Sequence, residues 1–306
     1  MTNAMNSLVS VVIPTYNHAR FLGRALQSVL DQTYTNWEAI VIDNHSTDNT
    51  DEVMTSFVDP RIRYLKIHNK GVIAASRNMG IKIAKGEWVA FLDSDDWWTN
   101  DKLKVCFDCM SDKADLFYHD LKIVTDLPKW YRRGIIKSRP VKKPVLIDLL
   151  VNGNAIANSS VVVRRALLHQ IGGIDESADM VAAEDYNTWL RVAQLTDEFK
   201  YVPKQLGFYQ LHDQGISSEK DMSLPVSYAV AEFIDFLCPK QKNKFKAWSS
   251  YTSGRFEYLA GNYMSAKKKL IICILYGSLN LKFKAVWMFV MAITYMNIDS
   301  FIRINK

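Results

Sequence analysis

The residues best suited to chemistry sit together at positions 93–96, where Asp93, Ser94, Asp95 and Asp96 set three carboxylates within four positions. Like charges this close repel one another unless a cation or hydrogen-bond donors compensate them. Read as extended chain, Asp93 and Asp95 fall on the same side. Hard oxygens so placed suit Mg2+ or Mn2+, ions that keep waters and take phosphate oxygens as further ligands. Asp95 or Asp96 can equally cap the next helix, and the two roles are compatible. Two more polar clusters stand in the same relation to a preceding apolar run: Pro14-Thr15-Tyr16-Asn17, and Asp43-Asn44-His45-Ser46. In an open parallel sheet, ligands bind outside the carboxyl ends of the strands. Three polar clusters at equivalent strand ends are therefore hard to explain by folding alone. The chain has neither a GxGxxG nor a GxxxxGK[ST] loop, which argues against a dinucleotide-binding dehydrogenase and a P-loop NTPase. Any bound nucleoside diphosphate must be neutralised by metal and side chains.

The apolar runs ahead of these clusters are the elements that must hold them. Residues 10–13 form a compact strand ended by Pro14, and 37–42, 62–67 and 88–92 read as three more. Phe21, Leu22, Ala25, Leu26, Val29 and Leu30 recur at helical spacing between the first two. A second helix begins near Thr47 and Asp48, whose short polar side chains can cap free N–H groups. Residues 73–84 form a third, closed by Gly86. This alternation predicts an α/β fold with a mostly parallel central sheet flanked by helices on both faces. After Asp120 the rhythm breaks. A basic segment leads to a strand at 160–163, a helix at 183–195 and short strands at 199–202 and 206–211, with helices from Leu224 onward. Three zones result: residues 1–120, an elaborated second half at 121–222, and a helical C-terminal extension at 223–306.

A chain of 306 residues, 48% hydrophobic and 23% charged, is ordinary for a globular protein and needs no disulfide or metal to fold. Cys106 and Cys109 lie in an apolar-periodic stretch with no second pair near them, so core thiols on a helix are the expectation, in a reduced, cytoplasmic protein. The first ten residues lack the basic start and long apolar run of a signal peptide. The net charge of +6 is uneven: Lys129, Arg132, Arg133, Lys137, Arg139, Lys142 and Lys143 follow one another with no acid among them. That stretch is either a solvated loop or a surface for phosphate-bearing acceptors or anionic lipid. Apolar runs at 270–276 and 285–295, flanked by lysines, fall short of the ~20 residues that span a bilayer. They read as buried helices, as a peripheral contact with the inner face of the plasma membrane, or as a homodimer contact. Nucleic acid is not an expected partner, because the positive charge is confined and no recognition motif is present.

The segments VSVVIPTYNHARFLGRALQSVLDQTY, VIDNHSTDNT and ASRNMGIKIAKGEWVAFLDSDD, in this order and spacing, resemble the family 2 glycosyltransferases. Co-linear motifs are far more specific together than any one alone. They are dense over the first third of the chain, with weaker landmarks to about residue 217. The resemblance implies a GT-A fold in which Pro14, Thr15, Tyr16 and Asn17 contact the nucleotide and Asp43 hydrogen-bonds the base. Arg77 and Asn78 match an arginine–asparagine pair near the nucleotide, Arg77 stacking on the base or pairing with phosphate; a surface helix cation is the local alternative. Asp93, Ser94 and Asp95 match the DXD-like motif, with Asp95 the direct ligand of Mn2+ or Mg2+ and Asp93 nearer the ribose. Glu184 and Asp185 match an acidic pair that supplies the catalytic base, here assigned to Asp185 with Glu184 in support. Two acids favoured by a helix N-terminus would look the same. His212 falls in a YRxH-like element whose histidine reaches the metal or diphosphate. Three positions depart from the pattern: Gln210 stands where arginine is usual, Asn44 where a second aspartate is frequent, and His45 where glycine is. Trp97 and Trp98 are either packing or a stacking platform.

The resemblance further implies inverting transfer of a hexose-type sugar from a nucleoside diphosphate donor, UDP-linked, to a hydroxyl of a saccharide acceptor. That acceptor is expected to be lipid-linked, in surface polysaccharide assembly. A sugar nucleotidyltransferase would want a glycine-rich basic loop where this chain has Thr15-Tyr16-Asn17-His18. The alternative is an inactive nucleotide- or glycan-binding module, which intact Asp93, Asp95 and Asp185 oppose and the altered Asn44, His45 and Gln210 leave open.

Overall fold

The computed structural model describes residues 6–109, 114–125, 134–212 and 222–304. Strand β1 (Val9–Thr15) leads to helix α1 (Ala19–Leu30), β2 (Trp37–Asp43) to α2 (Thr50–Thr55), and β3 (Ile62–Lys66) to α3 (Ile73–Ile83), ahead of β4 (Trp88–Phe91). There follow β5 (Trp97–Trp98), α4 (Lys102–Asp108), β6 (Leu116–Thr125), β7 (Gly134–Ile136) and α5 (Val145–Asn152). Next come β8 (Val162–Arg164), α6 (Arg165–Gln170), α7 (Glu184–Leu195) and β9 (Phe199–Leu211). Four helices end the chain: α8 (Ser223–Val230), α9 (Pro239–Leu259), α10 (Tyr263–Tyr276) and α11 (Leu279–Ile304).

The strands form one sheet in the order β3-β2-β1-β4-β8-β6-β9-β5, with β7 beside β6. The four strands β3, β2, β1 and β4 pair in parallel, as the alternation of strands and helices predicts. Beyond β4 the sheet is mixed: β8 is antiparallel to both β4 and β6, β9 is parallel to β6, and β5 is antiparallel to β9. Alternate residues of β1 enter opposite cores, as the two-residue period of a strand requires. Val12 belongs to the core that also holds Phe91, Leu149 of α5 and Trp189 of α7. Val11 and Ile13 pack with Leu22 and Leu26 of α1 and Phe107 of α4. A sheet buried on both faces has near-continuous apolar strands, and every residue of β1 and β2 is buried.

β6 is the element that sequence periodicity misses. His119 and Asp120 interrupt its apolar run, yet both are buried in the sheet. The Asp120 carboxylate accepts hydrogen bonds from the Ser138 amide and the Tyr201 hydroxyl, which removes the penalty of burying it. The strand continues past residue 120, with its register against β9 shifting on either side of Asp120. β9 is continuous where two short strands are expected. The register steps from His119–Val202 to Asp120–Gln205, so Pro203 and Lys204 are accommodated in a bulge, where proline's missing N–H costs no ladder bond.

Cys106 is buried on α4 and Cys109 caps that helix; both are free thiols. Burial pushes the Cys106 thiol up to about 11, consistent with a packing role. Of the basic stretch, Lys129, Arg132 and Arg133 lie outside the described residues, while Arg139 pairs with Asp148 and Lys143 with Glu198. No described helix is long and apolar enough to cross a membrane.

Candidate active site

The carboxyl ends of the parallel strands open into a cavity of ≈ 790 Å³. Its first wall is the loop after β1, bound tightly to the loop after β2. The Asn17 amide donates to Ser46 Oγ at 2.8 Å, and Asn17 Oδ1 accepts from the Thr47 amide at 2.8 Å. Asn17 and His45 both take positive φ, 51° and 52°, a conformation asparagine and histidine adopt more readily than most residues. Asp48 serves two helices at once, accepting from the Ala19 amide at the start of α1 and the Thr50 amide at the start of α2. Asn44 Oδ1 accepts from the Asn69 amide and so ties in the loop after β3.

The acidic cluster after β4 is a turn rather than extended chain. The Asp96 amide donates to the Asp93 carbonyl at 3.0 Å, so Asp93 and Asp95 reach different partners. Asp93 Oδ1 accepts from Arg77 Nη2 at 2.7 Å and from Asn158 Nδ2 at 3.1 Å. Asp95 Oδ2 lies 2.9 Å from His212 Nε2. Asp96 is buried beneath them and accepts from the Gln210 amide; burial and the neighbouring Asp95 and Asp93 raise its pKa. His18 Nδ1 is 2.9 Å from Ser94 Oγ, and its ring meets that of His212 edge-on at 5.6 Å. Burial lowers the pKa of His18 against the opposing pull of Asp95, which favours a neutral ring.

The opposite wall is the start of α7. Glu184 and Asp185 are its first two residues, and the helix dipole favours acids there. Arg77 is buried between the two walls, donating to Glu184 Oε1 at 2.5 Å and to Asp93 Oδ1 at 2.7 Å. Burial alone would lower its pKa, but the two carboxylates override it and keep the guanidinium charged. Asp185 is half-buried and makes no such pair among the described residues. Burial, reinforced by Glu184, pushes its carboxyl up to about 7. Among protein groups, the Tyr186 amide donates to it at 2.6 Å.

Of the residues the sequence singles out, Pro14, Thr15, Tyr16, Asn17, Arg77, Asp93, Ser94, Asp95, Glu184 and Asp185 all line the cavity. Three are placed elsewhere. Asp43 is fully buried under the loop it precedes, accepting from Ser46 and Tyr64, and so shapes that loop from below. Asn78 points away from the cavity, its amide holding both backbone groups of Ile174 and the Glu176 carboxylate. His212 stands behind Asp95, outside the lining. Arg77 binds two carboxylates rather than presenting a free cation. Gln210 accepts from Arg24 Nη2 at 2.9 Å, so a guanidinium stands next to the position where arginine is usual. Sequence reasoning does not single out His18, Asn158, Ser159 and Trp248 as lining residues. The polar run Asn158-Ser159-Ser160 ahead of an apolar strand was a usable signal; Trp248, far down the chain on α9, gave none.

Among the described residues, no group of three or more His, Cys, Asp and Glu side chains is arranged to hold a metal ion. The donor chemistry nonetheless fits a hard divalent cation that takes few protein ligands and draws the rest from water and phosphate. Asp95 offers a carboxylate beside the His212 imidazole, whose Nδ1 is buried without a partner among the described residues.

This architecture has known counterparts. The family described as Glycosyl transferase family 2 matches residues 10–172. The Escherichia coli UDP-Glc:alpha-D-GlcNAc-diphosphoundecaprenol beta-1,3-glucosyltransferase WfgD is 30% identical over 234 residues, covering 74% of this chain and 87% of that protein. The putative teichuronic acid biosynthesis glycosyltransferase TuaG of Bacillus subtilis is 29% identical over 224 residues, 72% of this chain and 85% of its own. Among solved structures, S. aureus TarS 1–349 in complex with UDP-GlcNAc superposes with a TM-score of 0.65 at 18% identity, covering 93% of this chain and 88% of that one. The mannosyltransferase PcManGT from Pyrobaculum calidifontis, in complex with GDP-Man and Mn2+, gives 0.59 at 19% identity, covering 94% and 81%. Fold and site together define a sugar-transferring enzyme of the GT-A type. The chain belongs to glycosyltransferase family 2.

Proposed function

We propose that the cavity binds a UDP-sugar and a lipid-linked saccharide and transfers the sugar with inversion, at the cytoplasmic face of the plasma membrane in surface polysaccharide assembly. The observation that carries this is the place of Asp185, a carboxyl on the cavity wall that faces the acidic turn, which burial and the neighbouring Glu184 push up to about 7. Such a group is matched to taking a proton near neutral pH. WfgD, whose name specifies UDP-Glc and a diphosphoundecaprenol-linked GlcNAc, supports the donor and acceptor class.

The residues divide the work. Pro14–Asn17 and Asn44 line the end of the cavity proposed for the nucleoside, with Asp43 fixing the loop from beneath. Asp95, with His212 behind it, would hold Mn2+ or Mg2+, which neutralises the charge developing on the leaving diphosphate. Asp185 takes the proton of the acceptor hydroxyl as that oxygen attacks the anomeric carbon. The bond from that carbon to the diphosphate oxygen breaks on the opposite side, and UDP leaves with the electron pair. Arg77 holds Asp93 and Glu184 together, so it positions the donor wall against the base-bearing helix.

The test is transfer from a panel of UDP-sugars to a GlcNAc-diphosphate lipid analogue, with the product's anomeric configuration read by NMR. The expected product is inverted, and Asp185→Asn slows its formation about 10²- to 10⁴-fold. A retained configuration, or an Asp185→Asn enzyme as fast as wild type, would overturn the assignment.

A further inference from the structure

Over residues 279–295 the last helix presents apolar side chains on two faces, of which the described residues cover one. Ala285, Met288 and Ala292 are buried, the first two in a small core with Leu270 and Cys273 of α10. The other face leaves Leu279 71%, Phe283 68%, Trp287 64% and Val290 54% exposed. At about 100° per residue these four fall on one stripe, with Val286 at its edge. Lys282 and Lys284 fall on its two flanks, each about 100° from Phe283. A helix apolar all round is normally buried on all sides.

The charge around this stripe identifies what would cover it. Residues 237–295 carry ten lysines and arginines and one acid, Glu257, a net +9, whereas the whole chain carries +6. No acid occurs between Glu257 and Asp299. A second copy would bring the same positive charge against itself. An anionic bilayer complements it: aromatic and aliphatic side chains enter the acyl boundary while flanking lysines reach the headgroups. The lysines that interrupt α11 suit lying in the interface rather than crossing it.

We propose that α11 docks the enzyme on an anionic lipid surface through Leu279, Phe283, Trp287 and Val290, with Lys282 and Lys284 on the headgroups. The cavity is joined to this surface by α9, which supplies Trp248 to its wall and packs along α10. That the docking serves a lipid-linked acceptor rests on the proposed function; the surface itself does not.

The experiment is co-sedimentation of the full chain with vesicles of phosphatidylcholine alone or with about 30% phosphatidylglycerol. Wild type is expected to bind the anionic vesicles and to be released by high salt. A Phe283→Glu, Trp287→Glu double variant should bind at least about tenfold more weakly with an unchanged melting temperature. Wild type failing to bind anionic vesicles, or the double variant binding as well as wild type, overturns the proposal. So does a wild-type dimer in light scattering that the same substitutions abolish, since the face then belongs to a second copy. Transfer to a water-soluble acceptor analogue separates the two readings. If it proceeds while vesicles are ignored, the docking surface alone fails; if vesicles bind and no UDP-sugar is transferred, the proposed function alone fails.

Discussion

Ionising Asp185 works against folding. Its carboxyl titrates near 7 in the folded protein against about 3.9 for an unperturbed aspartate. A raised folded pKa contributes stability that is fully present below the unfolded value and is lost as pH rises through the folded one. Asp185→Asn should therefore stabilise the protein at about pH 8, by roughly 1–3 kcal/mol after allowing for partial solvent access, and leave stability near pH 4 unchanged. Denaturant melts at the two pH values check this; equal stability at pH 8 would show that the carboxylate is not strained. The same titration governs activity. If the base must be unprotonated, log kcat/KM should climb with pH to about 7 and then level, whereas a flat profile from about pH 5 to 8 would exclude Asp185 as the titrating base. Arg77 makes the opposite case, a buried cation holding two acids. Arg77→Ala leaves Glu184 buried without its partner and should cost about 3–5 kcal/mol, measured by urea denaturation; a loss under about 1 kcal/mol would mean that the clamp contributes little to stability. At this scale the sequence revealed the acidic turn, because its carboxylates are adjacent in the chain. It could not reveal the direction of Asn78, which is set by Ile174 and Glu176 nearly a hundred positions away.

Among the elements, those with one unbroken apolar period were legible. β1, β2, β4 and α1 lie where the periodicity puts them. The sequence lost β6 because His119 and Asp120 break its pattern, and the buried Asp120 carboxylate is satisfied by Ser138 and Tyr201, which no local window contains. The parallel expectation likewise covers only the strands joined by helical crossovers. The join between α5 and α9 is as non-local. Gly153, at φ 80°, closes α5, and a Cβ there would lie 2.3 Å from the Trp248 ring. Gly153→Ala combines an unfavourable backbone conformation with that collision. It should destabilise by about 1–3 kcal/mol in chemical denaturation and move Trp248 out of the cavity wall; a neutral effect would mean that Trp248 is not fixed there.

On the scale of the whole molecule, the cavity is a property of topology. Its walls come from the ends of β1, β2 and β4, from α3, from the start of α7 and from α9, so no single stretch of sequence encloses it. What was readable was the convergence of polar clusters at strand ends; the Arg77 bridge between the two walls was not. The central claim is that this cavity is a metal-assisted site for a nucleoside diphosphate. The most direct measurement is calorimetric titration of UDP into the full chain, with and without Mn2+, for wild type and Asp95→Ala. The proposed site predicts UDP binding that Mn2+ strengthens about tenfold or more in wild type and leaves unchanged in the variant. Folded wild-type protein that takes up no UDP, GDP or TDP with Mn2+ present would contradict it.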